Sequence, residues 1–143
     1  MNTVKLKTEC GDIIGLDNGS YVEFRGIKYA DAGRWEYPVV TDGWDGVYDA
    51  TAFGDCCYQH RGFEDDAKVN PFYHREFRRG MSFTYSEDCQ YLNISAPKSA
   101  KKCPVLLYIH GGSFTGGSSN EGHISGKAYA ENDIVFVSVN YRL

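Results

Sequence analysis

The run His110-Gly111-Gly112-Ser113-Phe114 is able to stabilise a developing negative charge. It directly follows the apolar stretch Val105-Leu106-Leu107-Tyr108-Ile109, so a buried strand is expected to empty into a glycine-rich turn. Glycine bends the backbone into conformations other residues resist and leaves room for a substrate to approach. Turned inward, the N–H groups of such a loop can hold the oxygen that becomes negative when an ester carbonyl is attacked. No nucleophile accompanies it: G-x-S-x-G, the elbow on which a hydrolytic serine is usually presented, does not occur in these 143 residues. The nearest approach, Gly111-Gly112-Ser113-Phe114-Thr115, lacks the closing glycine. Ser113 is not expected to attack substrate itself, since it has no strained elbow and no identifiable base.

Other chemistries fit less well. Gly111 and Gly116 have the spacing of a phosphate-cradling loop, but Gly117 stands where that loop needs a lysine, so nucleotide binding is not expected. His60, His74 and His123 are dispersed among loop-like residues and read as surface or packing groups, so no metal is expected. The net charge of -4 argues against nucleic acid, which needs a basic face. The one dense basic patch, His74-Arg75-Glu76-Phe77-Arg78-Arg79, reads as a solvated helix or loop face because acidic residues interrupt it. No apolar run is long enough to cross a bilayer. Met1-Asn2-Thr3-Val4-Lys5-Leu6-Lys7 has no apolar core of a secretory signal, so a cytoplasmic chain is expected. The five cysteines, Cys10, Cys56, Cys57, Cys89 and Cys103, are odd in number and irregular in spacing; thiols are expected rather than a disulfide framework.

The elements that must hold the loop are legible in outline. With 42% hydrophobic and 24% charged residues the chain is globular in composition, and 11 Tyr with 8 Phe suit a core or deep pocket. Residues Thr3 to Tyr29 predict a small antiparallel meander, with turns at Gly11-Asp12 and Asp17-Asn18-Gly19-Ser20. Ala30 to Asp55 is glycine-interrupted loop, pinned to the body by Trp35, Trp44 and Tyr48. A short helix is expected over Pro71 to Arg79, with the proline in its first turn. Tyr91 to Ser95 predicts a strand ended by Ala96-Pro97, and Ser125 to Asn132 a short helix capped by Ser125. Ile134 to Val139 predicts a second apolar strand, parallel to the first and covered on both faces.

Several strings together resemble the N-terminal part of type-B carboxylesterases, α/β-hydrolases related to cholinesterases. They are Gly26-Ile27-Lys28-Tyr29-Ala30, Trp44-Asp45-Gly46-Val47-Tyr48-Asp49-Ala50-Thr51, Phe53-Gly54, Cys57-Tyr58-Gln59, Ser86-Glu87-Asp88-Cys89-Gln90-Tyr91-Leu92-Asn93-Ile94, Tyr108 to Phe114, and Val139-Asn140-Tyr141-Arg142-Leu143. The resemblance covers nearly the whole chain and implies an α/β fold: a small antiparallel meander leading into parallel strands of a mixed sheet, residues 1–143 being one incomplete portion of a single domain. It implies carboxylic ester hydrolysis, with the Ser, acidic and His members of the triad in downstream sequence and no cofactor. This stretch alone is then expected to be inactive. By motif position the oxyanion donors are the N–H groups of Gly112 and Ser113, Gly111 is the hinge of the turn, and His110 belongs to the loop's scaffold. Losing one donor typically costs about 2.7–4 kcal/mol of transition-state stabilisation.

The same resemblance implies a partly buried ion pair between Arg34 and Glu87, whose rupture would cost about 3–5 kcal/mol. It matches Cys57 and Cys89 to a disulfide of secreted members, closing a loop of about 30 residues and worth roughly 3–4 kcal/mol; the missing signal argues against it here. The segment between those cysteines holds Phe72, Tyr73, Phe77, Phe83 and Tyr85 but no Trp, so an uncharged ester is expected rather than a choline ester. The alternatives are a non-catalytic adhesion or binding module, favoured by the sequons Asn18-Gly19-Ser20 and Asn93-Ile94-Ser95, and one half of a split enzyme. Unpaired apolar strands at Val105 to Ile109 and Ile134 to Val139 predict association with a downstream chain or with a second copy.

Overall fold

Thr8 sets the first turn of the chain. The computed structural model describes residues 2–60 and 66–143, and its first strands are β1 (Asn2–Thr8), β2 (Gly11–Asp17) and β3 (Tyr21–Lys28), paired antiparallel. The Thr8 hydroxyl donates to the Gly11 carbonyl (2.8 Å) and accepts from the Cys10 N–H (3.2 Å). The turn therefore closes on Glu9 and Cys10, and Gly11 opens β2, two residues before the expected Gly11-Asp12 turn. The second turn lies where expected, with the Gly19 N–H donating to Asp17 Oδ1 (2.9 Å).

The loop-rich middle contributes only short pieces. They are β4 (Ala30–Asp31), β5 (Val39–Val40), β6 (Val47–Asp49), β7 (Cys56–Cys57), α1 (Asp66–Val69), α2 (Pro71–Tyr73) and β8 (Tyr85–Ser86). Trp44 and Tyr48 pin this region as expected: their rings lie 4.8 Å apart and pack on the core of Ile13, Val22, Phe24 and Ala50. Trp35 does not; it is 91% exposed beside the Arg34 guanidinium. The helix begun by Pro71 and capped by the Asn70 side chain widens after Tyr73 into a π-helical turn, His74–Arg78. Arg78 is buried there, contrary to the solvated face expected for the basic patch.

The site-bearing strands follow: β9 (Tyr91–Pro97), β10 (Val105–Ile109) and β11 (Val135–Val139), with α3 (Lys127–Ala130) in the crossover. β9 continues through Ala96-Pro97 rather than ending at Ser95. Gly126, not Ser125, is the N-cap of α3, although the Ser125 hydroxyl accepts from the Lys127 N–H (3.3 Å). The sheet order is β1-β2-β3-β9-β11-β10, with β6 added to β2, and β10 runs parallel to β11 as expected. β11 is interior, between β9 and β10, so of the two apolar strands only β10 presents an edge.

Register sets Val22 and Phe24 opposite Ala96 and Ile94, Ile94 opposite Val137, and Val137 opposite Leu107. One face of the sheet is thus apolar from β3 to β10. The expectation that both faces are covered fails at its far end, where Val105, Leu107 and Ile109 are 66%, 58% and 63% exposed. Among the described residues no helix is long and apolar enough to cross a membrane.

Candidate active site

The glycine loop leaves β10 at His110, and each of its first residues has a distinct job. His110 is buried. Its ring stacks 4.3 Å from that of Tyr141, whose hydroxyl donates to the His110 carbonyl (2.7 Å). Its Nδ1 lies 3.0 Å from the Gly111 carbonyl and, as the N–H tautomer, donates to it. Gly112, Ser113 and Phe114 all have positive φ, at +132°, 55° and 58°. For Ser113 and Phe114 this is the left-handed region that side chains resist, and such strain gathers at functional sites. Thr115 ties the turn shut, its N–H and its hydroxyl each donating to the Gly112 carbonyl at 3.0 Å. The Gly112 and Ser113 N–H groups have no hydrogen-bond partner among the described residues.

Two supports were not singled out from the sequence. Gln59, buried, clamps Gly117 from across the chain: its Oε1 accepts from the Gly117 N–H (3.0 Å) and its Nε2 donates to the Gly117 carbonyl (3.0 Å) and to that of Cys57 (3.1 Å). Beneath lies a buried polar network. Asn140 Oδ1 accepts from the Ser119 N–H (2.7 Å), Asn120 Nδ2 donates to the Gly54 carbonyl (2.8 Å), and Asn93 Oδ1 accepts from the Gly26 N–H (2.9 Å). Burial of Asn93 closes that sequon to a glycan. The signal for Gln59 was its place in Cys57-Tyr58-Gln59; for the network it was only a high local count of Ser and Asn.

The loop borders a cavity of about 490 Å³. His60, Tyr73, Thr115, Glu121 and His123 form its polar wall, and Tyr108 and Ile124 its apolar one. Arg78 and Glu121, 5% and 3% exposed at the side chain, face each other behind it at 3.8 Å. The Arg78 guanidinium also lies 4.1 Å over the Phe83 ring and donates to the Tyr85 hydroxyl (3.0 Å). No cluster of His, Cys, Asp and Glu able to hold a metal occurs among the described residues.

The implied pairs lie away from this cavity. Arg34 and Glu87 meet, at 3.7 Å, but in solvent, with side chains 71% and 49% exposed. The partly buried pair expected there is an exposed one, because the arm bearing Trp35 and Tyr37 stands off the body. Exposed pairs contribute about 0–1 kcal/mol, so Glu87→Gln is expected to change the free energy of urea unfolding by less than about 1 kcal/mol.

Cys57 and Cys89 are thiols rather than a disulfide. The Cys89 S–H donates to Cys57, which also accepts from the Leu143 N–H (3.2 Å). These bonds hold the Cys57 thiol down at about 6, and the same bond, with burial, pushes Cys89 up. Stability contributed by the depressed Cys57 is fully present above its unfolded value near 9 and is lost as pH falls through about 6. The raised Cys89 acts only above that window. The thermal midpoint is therefore expected to decline between pH 9 and pH 6, and Cys57→Ser to flatten the decline.

Comparison with known proteins shows the family and the fold. The sequence profile described as the carboxylesterase family matches residues 2–143. The para-nitrobenzyl esterase of Bacillus subtilis (strain 168) is 33% identical over 142 residues, 95% of this chain and 27% of that protein. The acetylcholinesterase of Bungarus fasciatus is 34% identical over 156 residues, 98% of this chain and 24% of that one. Among solved structures, a carboxylesterase of Geobacillus stearothermophilus superposes with a TM-score of 0.76 at 35% identity, covering 97% of this chain and 26% of its own. The chain thus spans about a quarter of the length of the curated relatives it matches, and its fold is that of the corresponding part of an α/β-hydrolase.

Proposed function

Because the chain belongs to the carboxylesterase family, we propose that it supplies the oxyanion loop and one pocket wall of a serine hydrolase acting on carboxylic esters. The nucleophile, acid and histidine then come from residues outside these 143. The observation that carries this reading is the pair of adjacent N–H groups on Gly112 and Ser113, without hydrogen-bond partners among the described residues, in a loop whose Gly112 lines the cavity. A serine attacks the ester carbonyl, and the oxygen that takes the charge accepts from both N–H groups. Being fixed in advance, they need no reorganisation as the charge develops. Collapse releases the alcohol, and water then frees the acyl group from the serine. His110 keeps the loop's entry rigid and transfers no proton, since its Nδ1–H is spent on Gly111.

The exposed Val105, Leu107 and Ile109 and the free edge of β10 support association with the polypeptide that carries the triad or with a second copy. Native mass spectrometry of gently purified material is expected to show a species heavier than 16.0 kDa. The lone chain is expected to hydrolyse p-nitrophenyl acetate no faster than buffer. A complex with a G-x-S-x-G polypeptide is expected to turn it over and to be stopped by a serine-directed phosphonate. Turnover by the lone chain would place the nucleophile among these residues and defeat the reading. So would an inert complex.

A further inference from the structure

Cys57 and Cys89 take no part in the chemistry proposed for the loop, yet a small oxidant can reach one of them. Cys57 lines a cavity of about 350 Å³ with Arg34, Trp35, Tyr37, Arg142 and Leu143. Cys89 is fully buried and gives its S–H to the Cys57 sulfur. Together with the Leu143 N–H, at 3.2 Å, this bond holds the Cys57 thiol below its ordinary range. A thiol held toward thiolate at a cavity wall, with a second thiol in contact, is the arrangement of an oxidisable pair. A fixed disulfide would only staple the fold. With both sulfurs reduced, the pair has a second state to move to.

That second state reaches the loop through β7, the Cys56–Cys57 strand. Gln59 Nε2 donates to the Cys57 carbonyl (3.1 Å) and to the Gly117 carbonyl (3.0 Å), and its Oε1 accepts from the Gly117 N–H (3.0 Å). Cys56 Sγ lies 3.0 Å from the Ser118 hydroxyl, and Asn120 Nδ2 donates to it at 3.5 Å. β7 is thus tied along the return leg of the glycine loop. Gly117 in turn backs directly on the loop's entry: a Cβ there would lie 2.3 Å from the Gly111 carbonyl oxygen and 2.6 Å from His110 Nδ1. Joining the Cys57 sulfur to Cys89 replaces a hydrogen-bonded contact by a bond of about 2.0 Å and draws the end of β7 with it. The Cys57 carbonyl then leaves Gln59, whose amide loses one of the three bonds that aim it at Gly117.

We propose that Cys57 and Cys89 form a reversible, peroxide-responsive switch whose oxidation loosens the Gln59 clamp on the glycine loop. Control of turnover by this switch rests on the ester-hydrolase reading; movement of the loop does not. The Cys57 sulfur attacks one oxygen of hydrogen peroxide, the O–O bond breaks, and the departing hydroxide takes up the proton that Cys57 gave to solvent, leaving as water. Cys57 is thereby oxidised to a sulfenic acid and the peroxide reduced. The Cys89 sulfur then attacks the Cys57 sulfur, the S–O bond breaks, and the hydroxide leaves as water with the Cys89 proton. Two thiols and one peroxide become a disulfide and two waters. A dithiol restores both thiols by exchange.

The test uses the chain with Cys10→Ser and Cys103→Ser, which removes the two more accessible thiols. It is treated with hydrogen peroxide and followed by intact mass, peptide mapping and amide hydrogen exchange. The mass is expected to fall by that of two hydrogens, with the new bond mapped between Cys57 and Cys89. Exchange of the Gly117 amide is expected to rise at least about fivefold, the worth of one net hydrogen bond. Dithiothreitol is expected to reverse both changes. Cys89→Ala and Cys57→Ala, in the same background, are each expected to keep the Gly117 amide unchanged by peroxide, so either variant serves where the other fails to fold. A mapped Cys57–Cys89 bond with Gly117 exchange unaltered overturns the switch and leaves a plain staple. Failure of the bond to form under peroxide overturns it too. An inert complex with a G-x-S-x-G polypeptide defeats the ester-hydrolase reading and leaves the Gly117 result standing. An active complex is expected to lose at least about fivefold in kcat on oxidation; one that loses none overturns the control of turnover.

Discussion

In any assembly of this chain that turns over ester, Gly112→Ala is expected to lower kcat/KM by at least about a hundredfold, the range for losing one fixed oxyanion donor. The cause is steric and local. A Cβ on Gly112 would lie 1.9 Å from the Gly116 carbonyl oxygen and 2.6 Å from its carbon, which no side-chain motion can relieve because both atoms are backbone. The φ of +132° adds a conformation that alanine rarely adopts. The loop must open, and opening reorients the N–H groups of residues 112 and 113 that the proposed mechanism uses. The loss should fall on kcat more than on KM, since the donors act on charge that exists only in the transition state. Gly19→Ala is the control: its φ is also positive, at +84°, but nothing lies within 4 Å of the new methyl, and it sits at a hairpin tip. Ordinary turnover by the Gly112 variant would mean that the oxyanion is held elsewhere.

The second large effect is on stability. Asn140→Ala is expected to destabilise the fold by about 3 kcal/mol or more. Asn140 is 2% exposed. Its amide accepts from the Ser119 N–H (2.7 Å) and donates to Asn120 Oδ1 (3.2 Å) and the Asp55 carbonyl (3.4 Å). Truncation leaves the buried Ser119 N–H and the Asp55 carbonyl without this partner, while Asn120 Oδ1 keeps the Ser119 hydroxyl and the Asn93 amide as donors; each group left unsatisfied costs about 1–3 kcal/mol. With a urea m-value of about 1–3 kcal/mol/M, the midpoint should fall by about 1–3 M at fixed protein concentration. Asn132→Ala, which removes one exposed bond to the Ala128 carbonyl, should shift it far less. A shift for Asn140→Ala as small as that for Asn132→Ala would show that the network is not what joins β11 to the loop.

What could be seen in the sequence was whatever one physical pattern decides alone. β10 and β11 are runs of β-branched and apolar residues with no competing period, and they lie within a residue of the expected bounds. The tight glycine turn after β10 was visible because glycine has few uses in that density. Features set by two distant segments were not visible. Arg78 looks like its neighbour Arg79 in the chain; only the wider π-helical turn, with its five-residue step, carries Arg78 beneath Tyr73 and toward Glu121. Gln59 and Gly117 are 58 positions apart, and no local rule pairs them. The Arg34–Glu87 pair failed in the opposite way: the partners were foreseen, but exposure depends on where a whole arm rests. The first turn slipped because a threonine hydroxyl, not the glycine, closed it.

The position of β9 has a consequence for how the polypeptide is made. β3 finds its outer neighbour only in β9, and roughly sixty residues separate Lys28 from Tyr91. At the usual pace of synthesis, about 5–20 residues per second, the meander stands outside the ribosome for about 3–12 seconds with one edge unfilled. During that interval Val22 and Phe24 have neither Ala96 nor Ile94 opposite them. A nascent chain in this state is a natural client for a holding chaperone, and rare codons placed between β3 and β9 would lengthen its exposure, whereas the same codons after β9 would be harmless to this edge.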